Sequence, residues 1–302
     1  MLDKIIQLVK DGLIYGFAFS LQSILIIVLL PILTSYFTTE EYGVYNIILL
    51  VSIILGSIFY FGASSSLGRF FFDINNKKYR RKIVTAVLFV TTIGSLFLIL
   101  IGFFFSSYIS IFLFDTSKYY FEIFISFSST SINFLIGTYS LLVRYLKKPI
   151  FFLLITIFGT LINFFVTFIL LEFYNLSIIA PILGHLISNI IISSLLFLKY
   201  INYLSFDFDY ALVSKVLKFG FPIALTSLVY YFVDGVDRFL IKDLLDISQV
   251  GIYGLAYSLG RIMNVILVSP LGMVWAPMRM ELFNNKNDKY YSEFKNFNNM
   301  IA

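Results

Sequence analysis

The sequence predicts an all-α polytopic membrane protein, with about eight transmembrane helices arranged as one six-helix bundle and the start of a second, parallel copy. Apolar residues make up 59% of the 302 residues and charged residues 13%, whereas soluble domains are nearer half apolar and a quarter charged. The apolar residues form long blocks. In addition, sliding the chain by 208 positions places Gly220 on Gly12, and Gly251-Ile252-Tyr253 on Gly43-Val44-Tyr45, without a gap.

The composition argues against several classes of function. The chain has no Cys and one His, so a disulfide framework, a thiol nucleophile and a thiolate metal site are excluded. It contains neither a glycine-rich phosphate loop ending in Lys-Ser/Thr nor a Gly-x-Ser-x-Gly elbow. We therefore predict a protein that is not an enzyme and that uses no cofactor or metal. Its net charge of +5 lies between apolar blocks, which argues against a nucleic-acid partner.

The order of apolar and polar segments along the chain predicts its domains. Residues 1–11 alternate apolar and polar side chains at helical spacing and predict an amphipathic helix on the membrane surface. Eight apolar stretches follow that can cross about 30 Å of hydrocarbon: residues 12–34, 43–67, 83–105, 119–143, 150–171, 177–198, 219–241 and 250–275. We expect a first bundle over 12–200, a cytoplasmic linker over 201–218, the first two helices of a second bundle over 219–275, and a polar, amphipathic cytoplasmic segment over 276–302.

The basic residues between the spans predict the orientation. The segments that share one side of the membrane carry 18 Lys and Arg residues, whereas the opposite side carries only Lys118 and Lys242. The positive-inside rule therefore places both termini in the cytoplasm. Because six spans bring the chain back to its starting side, the second copy begins in the same orientation as the first, as in parallel-repeat transporters. The second copy has only two spans, so we expect the chain to be an incomplete two-bundle protein.

Polar side chains lie on one face of each of spans four to eight. They either line a shared cavity, because polar groups are costly against lipid, or pack helices together, as small polar residues often do. We favour the cavity. Its predicted residues are Asn133 in span four, Asn163 in span five, Tyr230, Asp234, Asp237 and Arg238 in span seven, and Tyr253, Tyr257, Arg261 and Asn264 in span eight.

The charged candidates differ in their predicted depth in the membrane. At about 1.5 Å per residue, Arg261 lies roughly 16 Å from the outer end of span eight, close to the midplane, and Asp234 roughly 22 Å from the cytoplasmic end of span seven. Asp234 is therefore the expected partner of Arg261 before substrate binds. Arg238 lies one turn beyond Asp234, near the outer interface. It either snorkels to the headgroups and pairs with Asp234, or serves the cavity.

Six short motifs, in this order and spacing, resemble those of the Wzx-type O-antigen and polysaccharide repeat-unit flippases of the multidrug/oligosaccharidyl-lipid/polysaccharide exporter superfamily. They are Leu30-Pro-Ile-Leu-Thr34, Glu41-Tyr-Gly-Val-Tyr45, Gly68-Arg-Phe-Phe71, Lys218-Phe-Gly-Phe-Pro222, Asp237-Arg-Phe-Leu240 and Val250-Gly-Ile-Tyr253. The resemblance covers essentially the whole chain.

This resemblance implies a bacterial inner-membrane protein with two bundles around a cationic cavity. It implies a transporter that flips undecaprenyl-diphosphate-linked oligosaccharide, an O-antigen or capsular repeat unit, by alternating access. Its partners would be that lipid, the surrounding membrane lipid, and a polysaccharide polymerase and chain-length regulator. Two alternatives stay open. One is a cation-coupled drug or small-molecule exporter of the same superfamily that uses Asp234 and Asp237 as proton-exchanging carboxylates. The other is a membrane scaffold that does not transport, in which the polar faces are buried in helix contacts.

Overall fold

A computed structural model describes the backbone of residues 2–267 except 75 and 206, and the side chains of residues 14–260 except 19, 26, 75 and 206. Within that part of the chain, all regular elements are helical, which confirms the predicted class. They are α1 (Leu2–Tyr36), α2 (Thr39–Phe59), α3 (Ala63–Phe70), α4 (Lys77–Phe114), α5 (Tyr120–Tyr145), α6 (Pro149–Glu172), α7 (Ile179–Tyr200), a 3-10 turn (Ile201–Tyr203), α8 (Tyr210–Leu244) and α9 (Ile247–Leu267). The predicted segment 276–302 lies outside the described residues.

Six helices are long and apolar enough to cross a membrane by length and composition: α1, from Ile14 onwards, and α2, α4, α6, α7 and α8. The helices α5 and α9 have 26 and 21 residues, which at 1.5 Å per residue is about 39 and 32 Å. The helix α5 contains the polar run Ser128 to Ser131, and the side chains of α9 are described only as far as residue 260. The prediction of eight spans is therefore supported for six helices and stays a prediction for α5 and α9.

Several helix ends differ from the predicted boundaries, because local capping sets them. The helix α4 begins at Lys77 rather than near residue 83, since the Asn76 side chain accepts hydrogen bonds from the first backbone N–H groups. In the same way Asp209 caps α8, which therefore begins inside the predicted linker. The helix α1 is unbroken from Leu2, so residues 2–11 continue the helix of the first span.

The helix α3 was not predicted as a separate element. It starts after Gly62, whose φ of 58° lies in the left-handed region that glycine adopts without strain. A Cβ on Gly62 would overlap the carbonyl oxygen of Gly220 in α8, and a Cβ on Gly220 would overlap the carbonyl of Phe61. The chain therefore turns at Gly62 where the second copy begins to pack on the first.

Two hydrophobic clusters fill the two ends of the first bundle. One joins α3, α4 and α5 around Leu67, Val87 and Leu142, and the other joins α2 and α4 to their neighbours around Ile48 and Leu98. A smaller third cluster of Ile47, Leu113 and Val250 attaches α9 to α2 and α4. The second copy is thus packed against α2 and α4 of the first.

Glycines bring α2 and α9 into a reciprocal contact. A Cβ on Gly43 would overlap the carbonyl oxygen of Ile247 and lie 3.1 Å from the nitrogen of Gly251. A Cβ on Gly251 would overlap the carbonyl oxygen of Thr39 and lie 3.1 Å from the nitrogen of Gly43. Ile247 lies four residues before Gly251, and Thr39 lies four residues before Gly43. Each glycine therefore meets the same position of the other helix, as at a local twofold axis. The 208-residue offset therefore relates positions that touch in space.

Segments predicted to share a side of the membrane also meet in the structure. On the predicted cytoplasmic side, Lys82 Nζ lies 2.8 Å from Asp207 Oδ2. On the predicted outer side, the Ser177 hydroxyl donates to Glu41 Oε1 at 2.7 Å. The two sides are thus consistent with the predicted alternation of the spans, while which side faces the cytoplasm stays a prediction.

Candidate functional site

The contact between α8 and α9 collects five of the ten predicted site residues. We call this group, Asp234, Asp237, Arg238, Tyr253 and Tyr257, the α8–α9 cluster. The Tyr257 hydroxyl donates a hydrogen bond to Asp234 Oδ1, and the Tyr253 hydroxyl donates one to Asp237 Oδ2. Asp234 and Tyr257 each lie ten residues from the loop between the helices, which is about 15 Å along each axis. The cluster therefore extends towards the middle of the two helices.

Arg238 is buried in this cluster, with 6% of its surface exposed. Its guanidinium carbon lies 4.4 Å from the ring centre of Tyr257, and its Nε has no hydrogen-bond partner among the described residues. A desolvated cation–π contact of this kind contributes about 2 kcal/mol. The guanidinium is therefore held by an aromatic face and keeps a donor available.

The interpretation that Arg238 snorkels to the headgroups is wrong. Its predicted ion pair with Asp234 is also absent from the described residues, since Asp234 binds the Tyr257 hydroxyl instead. The reason is the rotation of α8 about its axis. Gly235 packs so closely on Leu50 of α2 that a Cβ would clash with that side chain, and this contact turns the neighbouring Arg238 inwards, against α9.

Arg261 and Asn264 belong to α9 by their backbone, but their side chains lie outside the described residues. The pairing of Asp234 with Arg261 therefore stays a prediction.

The three remaining predicted residues lie elsewhere. Tyr230 is 65% exposed, and its ring partner is the adjacent Tyr231. Asn133 is exposed on α5. Asn163 is buried between α6 and α7, where it accepts a hydrogen bond from Thr167 at 3.4 Å. In this structure Asn163 thus packs helices, and its predicted contact with a substrate is untested.

Many of the polar side chains in spans four to six lie in helix contacts. The hydroxyls of Ser52 and Ser126 are 2.7 Å apart, and Asn189 Nδ2 donates to the carbonyl of Ser129 at 3.1 Å. The Ser188 hydroxyl donates to the carbonyl of Gly159 at 2.7 Å. These groups face one another because small polar side chains satisfy their hydrogen bonds on the adjacent helix. The expectation of a cavity-lining face is wrong for these buried residues.

Arg144 is a second, partly buried cation, and it is one of the 18 basic residues that were predicted to lie between the spans. The helix α5 continues to Tyr145, so Arg144 occupies its last turn, with its guanidinium carbon 5.9 Å from the ring centre of Phe152. Its Nε is buried and has no partner among the described residues. The sequence did not show that Arg144 belongs to the helix, because the turn between α5 and α6 is only three residues long and Lys147 and Lys148 follow directly.

Comparisons with known proteins agree on a family and a fold. A family model described as polysaccharide biosynthesis protein matches residues 8–283. No curated protein matches the chain.

Several solved transporters share the fold. The MATE multidrug transporter DinF-BH, solved in a complex, has 13% identity and a TM-score of 0.73, covering 95% of this chain and 66% of its own. A mutant of the Vibrio cholerae MATE transporter VcmN has 12% identity and a TM-score of 0.71, covering 94% of this chain and 67% of its own. A MOP superfamily transporter from Pyrococcus furiosus, described as having a binding pocket of reverse polarity, has 11% identity and a TM-score of 0.72, covering 94% and 66%. This chain thus spans about two thirds of their length, and the likeness at such identities is one of fold.

Proposed function

This chain belongs to the polysaccharide biosynthesis protein family, and from that membership we propose that the protein is a Wzx-type flippase of the bacterial inner membrane. Its cargo would be an undecaprenyl-diphosphate-linked oligosaccharide, an O-antigen or capsular repeat unit, moved by alternating access between the two bundles. The structural observation that supports this best is Arg238, a buried guanidinium with an unpartnered Nε at the start of the second bundle.

The chemistry of the cargo explains why such a group is useful. The lipid tail can stay in the bilayer, whereas the diphosphate and the sugars need a polar route. A guanidinium presents a planar fork of donors that suits phosphate oxygens. Tyr253 and Tyr257 offer flat faces and hydroxyls to sugar rings. In the structure those hydroxyls are bound to Asp237 and Asp234, so the cargo would exchange partners within the α8–α9 cluster.

A cation-coupled exporter is the second candidate. Two carboxylates and one guanidinium make up the described charges of the α8–α9 cluster, and a net-acidic site suits a cation better than a diphosphate. Under this alternative Asp234 and Asp237 carry the function, and Arg238 is a structural counter-charge.

Binding to the purified chain in lipid nanodiscs distinguishes the two candidates. We expect undecaprenyl-diphosphate-linked oligosaccharide to bind and a cationic dye such as ethidium not to compete with it. Asp234→Asn should then change the affinity for the lipid less than Arg238→Ala does. If the dye binds, the lipid does not, and Asp234→Asn abolishes dye binding, the exporter is the better description. A scaffold predicts that neither ligand binds.

Transport itself calls for a separate test. Because the chain spans about two thirds of the length of the solved transporters with the same fold, we expect that these 302 residues alone do not restore surface polysaccharide to a flippase-null strain. Restoration by this chain, with membrane levels checked by blot, would show that these residues suffice for transport.

The proposed orientation has its own measurement. Single cysteines at Lys78, Lys147 and Tyr203 should be protected from an impermeant thiol reagent in intact cells, whereas those at Thr39 and Ser248 should be labelled. Labelling at Lys78 would reverse the orientation.

A further inference from the structure

A second polar region lies between the two bundles on the side predicted to be cytoplasmic, well away from the α8–α9 cluster. It is a cleft of about 550 Å³ where α8 begins, and we call it the α3–α8 cleft. Its lining residues are Phe70 at the end of α3, and Ala211, Ser214, Lys215, Lys218 and Phe219 on the first turns of α8. The first bundle thus forms one wall and the second bundle the other.

Lys215 and Lys218 line the cleft, and with Arg69 and Asp73 beside it they form a group that has more positive than negative charge. Asp73 Oδ1 lies 2.6 Å from Arg69 Nη1, and Asp73 Oδ2 lies 3.6 Å from Lys215 Nζ. Lys218 has no ion-pair or hydrogen-bond partner among the described residues and is exposed. Arg69 and Lys215 therefore share one carboxylate and Lys218 has none, which leaves the four groups with an excess of two positive charges.

Aromatic side chains cover the apolar side of the same cleft. Lys215 Nζ lies 4.4 Å from the ring centre of Phe70, and the rings of Phe70 and Phe219 meet edge to face at 5.4 Å. Further along α8, Phe221 is 53% exposed. Charge at the entrance of a spanning helix, followed by exposed aromatic groups, is the arrangement expected at the boundary between headgroups and hydrocarbon.

We propose that the α3–α8 cleft binds the diphosphate of the membrane-embedded lipid substrate before it enters the space between the bundles. This inference rests on the proposed flippase function and names a loading site for it. A diphosphate diester carries two negative charges, which match the excess of the cleft, and Arg69 supplies a planar donor fork. The polyprenyl tail would leave past Phe219 and Phe221 into the bilayer.

The geometry also predicts a competitor inside the protein. Asp73 already occupies Arg69 and Lys215, so an incoming diphosphate must displace it from both. Removing the Asp73 charge should therefore strengthen binding, while removing a cation should weaken it. Opposite effects of neighbouring substitutions distinguish a binding site from a patch that only stabilises the fold.

The test measures binding of undecaprenyl-diphosphate-linked oligosaccharide, the diester, to the full 302-residue chain in neutral phosphatidylcholine nanodiscs. We expect Lys218→Gln to weaken binding about fivefold to tenfold, the effect of losing one charge-assisted contact. Asp73→Asn should tighten binding several-fold. The matched control is Lys77→Gln, an exposed lysine on the same predicted side and outside the cleft, which should leave binding unchanged.

Phosphatidylglycerol and free inorganic diphosphate serve as the two comparison ligands. The proposal is overturned if Lys218→Gln and Lys77→Gln weaken binding equally, because the attraction would then be diffuse. It is also overturned if phosphatidylglycerol binds as tightly, and with the same dependence on Lys218, because the cleft would then be a general anionic-lipid site. Lys218 is exposed and unpartnered among the described residues, so its variant is expected to fold even if Lys215→Gln, which breaks the contact between the bundles, does not.

Failure of the loading site and failure of the flippase proposal give different results. If the lipid-linked oligosaccharide binds through Arg238 and its affinity does not change on substitution of Lys218 or Asp73, the loading site is wrong and the flippase proposal stands. If the lipid binds at neither place, the flippase proposal fails as well.

Discussion

The first two helices of each copy, α1–α2 and α8–α9, occupy corresponding positions 208 residues apart and differ in their chemistry. Both copies keep the glycine that allows α2 and α9 to touch. The charged members of the α8–α9 cluster have apolar counterparts in the first copy. Asp234, Asp237, Arg238 and Tyr257 correspond to Ile26, Leu29, Leu30 and Leu49. The repeat thus preserves the helix-packing surface, and the second copy adds a polar site to it.

The one tyrosine that both copies share makes the same point. Tyr45 is buried with 7% exposure and packs its ring against Phe37. Its counterpart Tyr253 donates its hydroxyl to Asp237. The same residue type packs in a core in one copy and makes a polar contact in the other, because only α8 supplies a carboxylate nearby. The polar network therefore depends on what the neighbouring helix carries.

The largest expected effect is a loss of stability, and it tests the glycine contact to which both copies contribute. Gly43→Ala and Gly251→Ala each place a Cβ against a backbone carbonyl that cannot rotate away. Each should lower the free energy of unfolding by about 3 kcal/mol, at the upper end of overpacking costs. Thermal unfolding of the purified protein measures this, with Gly260→Ala as control, since nothing lies within 4 Å of its Cβ. Clearly unequal effects at Gly43 and Gly251 would contradict the reciprocal contact.

The next largest expected effect is on ligand binding, and it tests the charged residues that only the second copy has at these positions. Arg238→Ala should weaken binding of the lipid-linked oligosaccharide at least about tenfold, because it removes the buried guanidinium and leaves the neighbouring carboxylates without a counter-charge. Arg238→Lys should lie between Ala and the parent, since it keeps the charge and loses the planar fork. Leu30→Ala, at the corresponding position of α1, is the matched control and should bind normally. Normal binding by Arg238→Ala would remove this residue from the proposed site.

Arg261 gives a comparable prediction one turn beyond Tyr257. An arginine near the midplane costs roughly 2.5–3.5 kcal/mol on insertion scales unless it is hydrated or paired. Arg261→Ala should therefore lose binding and Arg261→Lys should retain part of it. If Arg261→Ala disappears from the membrane and Asp234→Ala in the same chain restores it, the pair is a structural bridge between α8 and α9.

Removal of a single tyrosine hydroxyl should lower stability by a smaller amount, and the loss should differ between the two copies. Tyr253→Phe and Tyr257→Phe each remove a hydroxyl that donates to an Asp carboxylate and should destabilise the protein by about 1–2 kcal/mol. Tyr45→Phe in the first copy should change stability by less than about 0.5 kcal/mol, because its contacts are aromatic packing. Chemical denaturation in one detergent compares the three. A cost at Tyr45 equal to that at Tyr253 would show that the two tyrosines are equivalent after all.

The smallest effect concerns the linker that joins the copies. Hydrogen bonding to Lys82, together with its positive charge, lowers the pKa of Asp207 below its ordinary value. A lowered carboxyl pKa stabilises the fold above the unfolded-state pKa, and this contribution is lost as the pH falls through the folded-state pKa. The melting temperature should therefore lose a small pH-dependent part on acidification. Asp207→Asn and Lys82→Gln should both abolish that part, and an unchanged pH profile in both variants would exclude this pair as its source.

The sequence by itself determined the helical class, the approximate positions of the helices, the alternation of their ends and the repeat. These properties follow from local hydropathy, from the placement of charge between apolar blocks and from ungapped spacing, which do not depend on the helix contacts. It also predicted all five members of the α8–α9 cluster as site residues, because charged residues and their polar neighbours are conspicuous inside apolar blocks.

Only the tertiary structure decided what those residues touch. The helical repeat places Asp234 and Arg238 on one face, yet it cannot say whether that face meets lipid, a cavity or another helix. That choice is made by the rotation of α8, which Gly235 sets against Leu50, 185 positions earlier in the chain. The same reason explains why Asn163 packs against α7 and why Arg144 lies inside the first bundle. Each depends on a neighbour brought close by long-range packing, and helix packing angles are not encoded in the periodicity of any single segment.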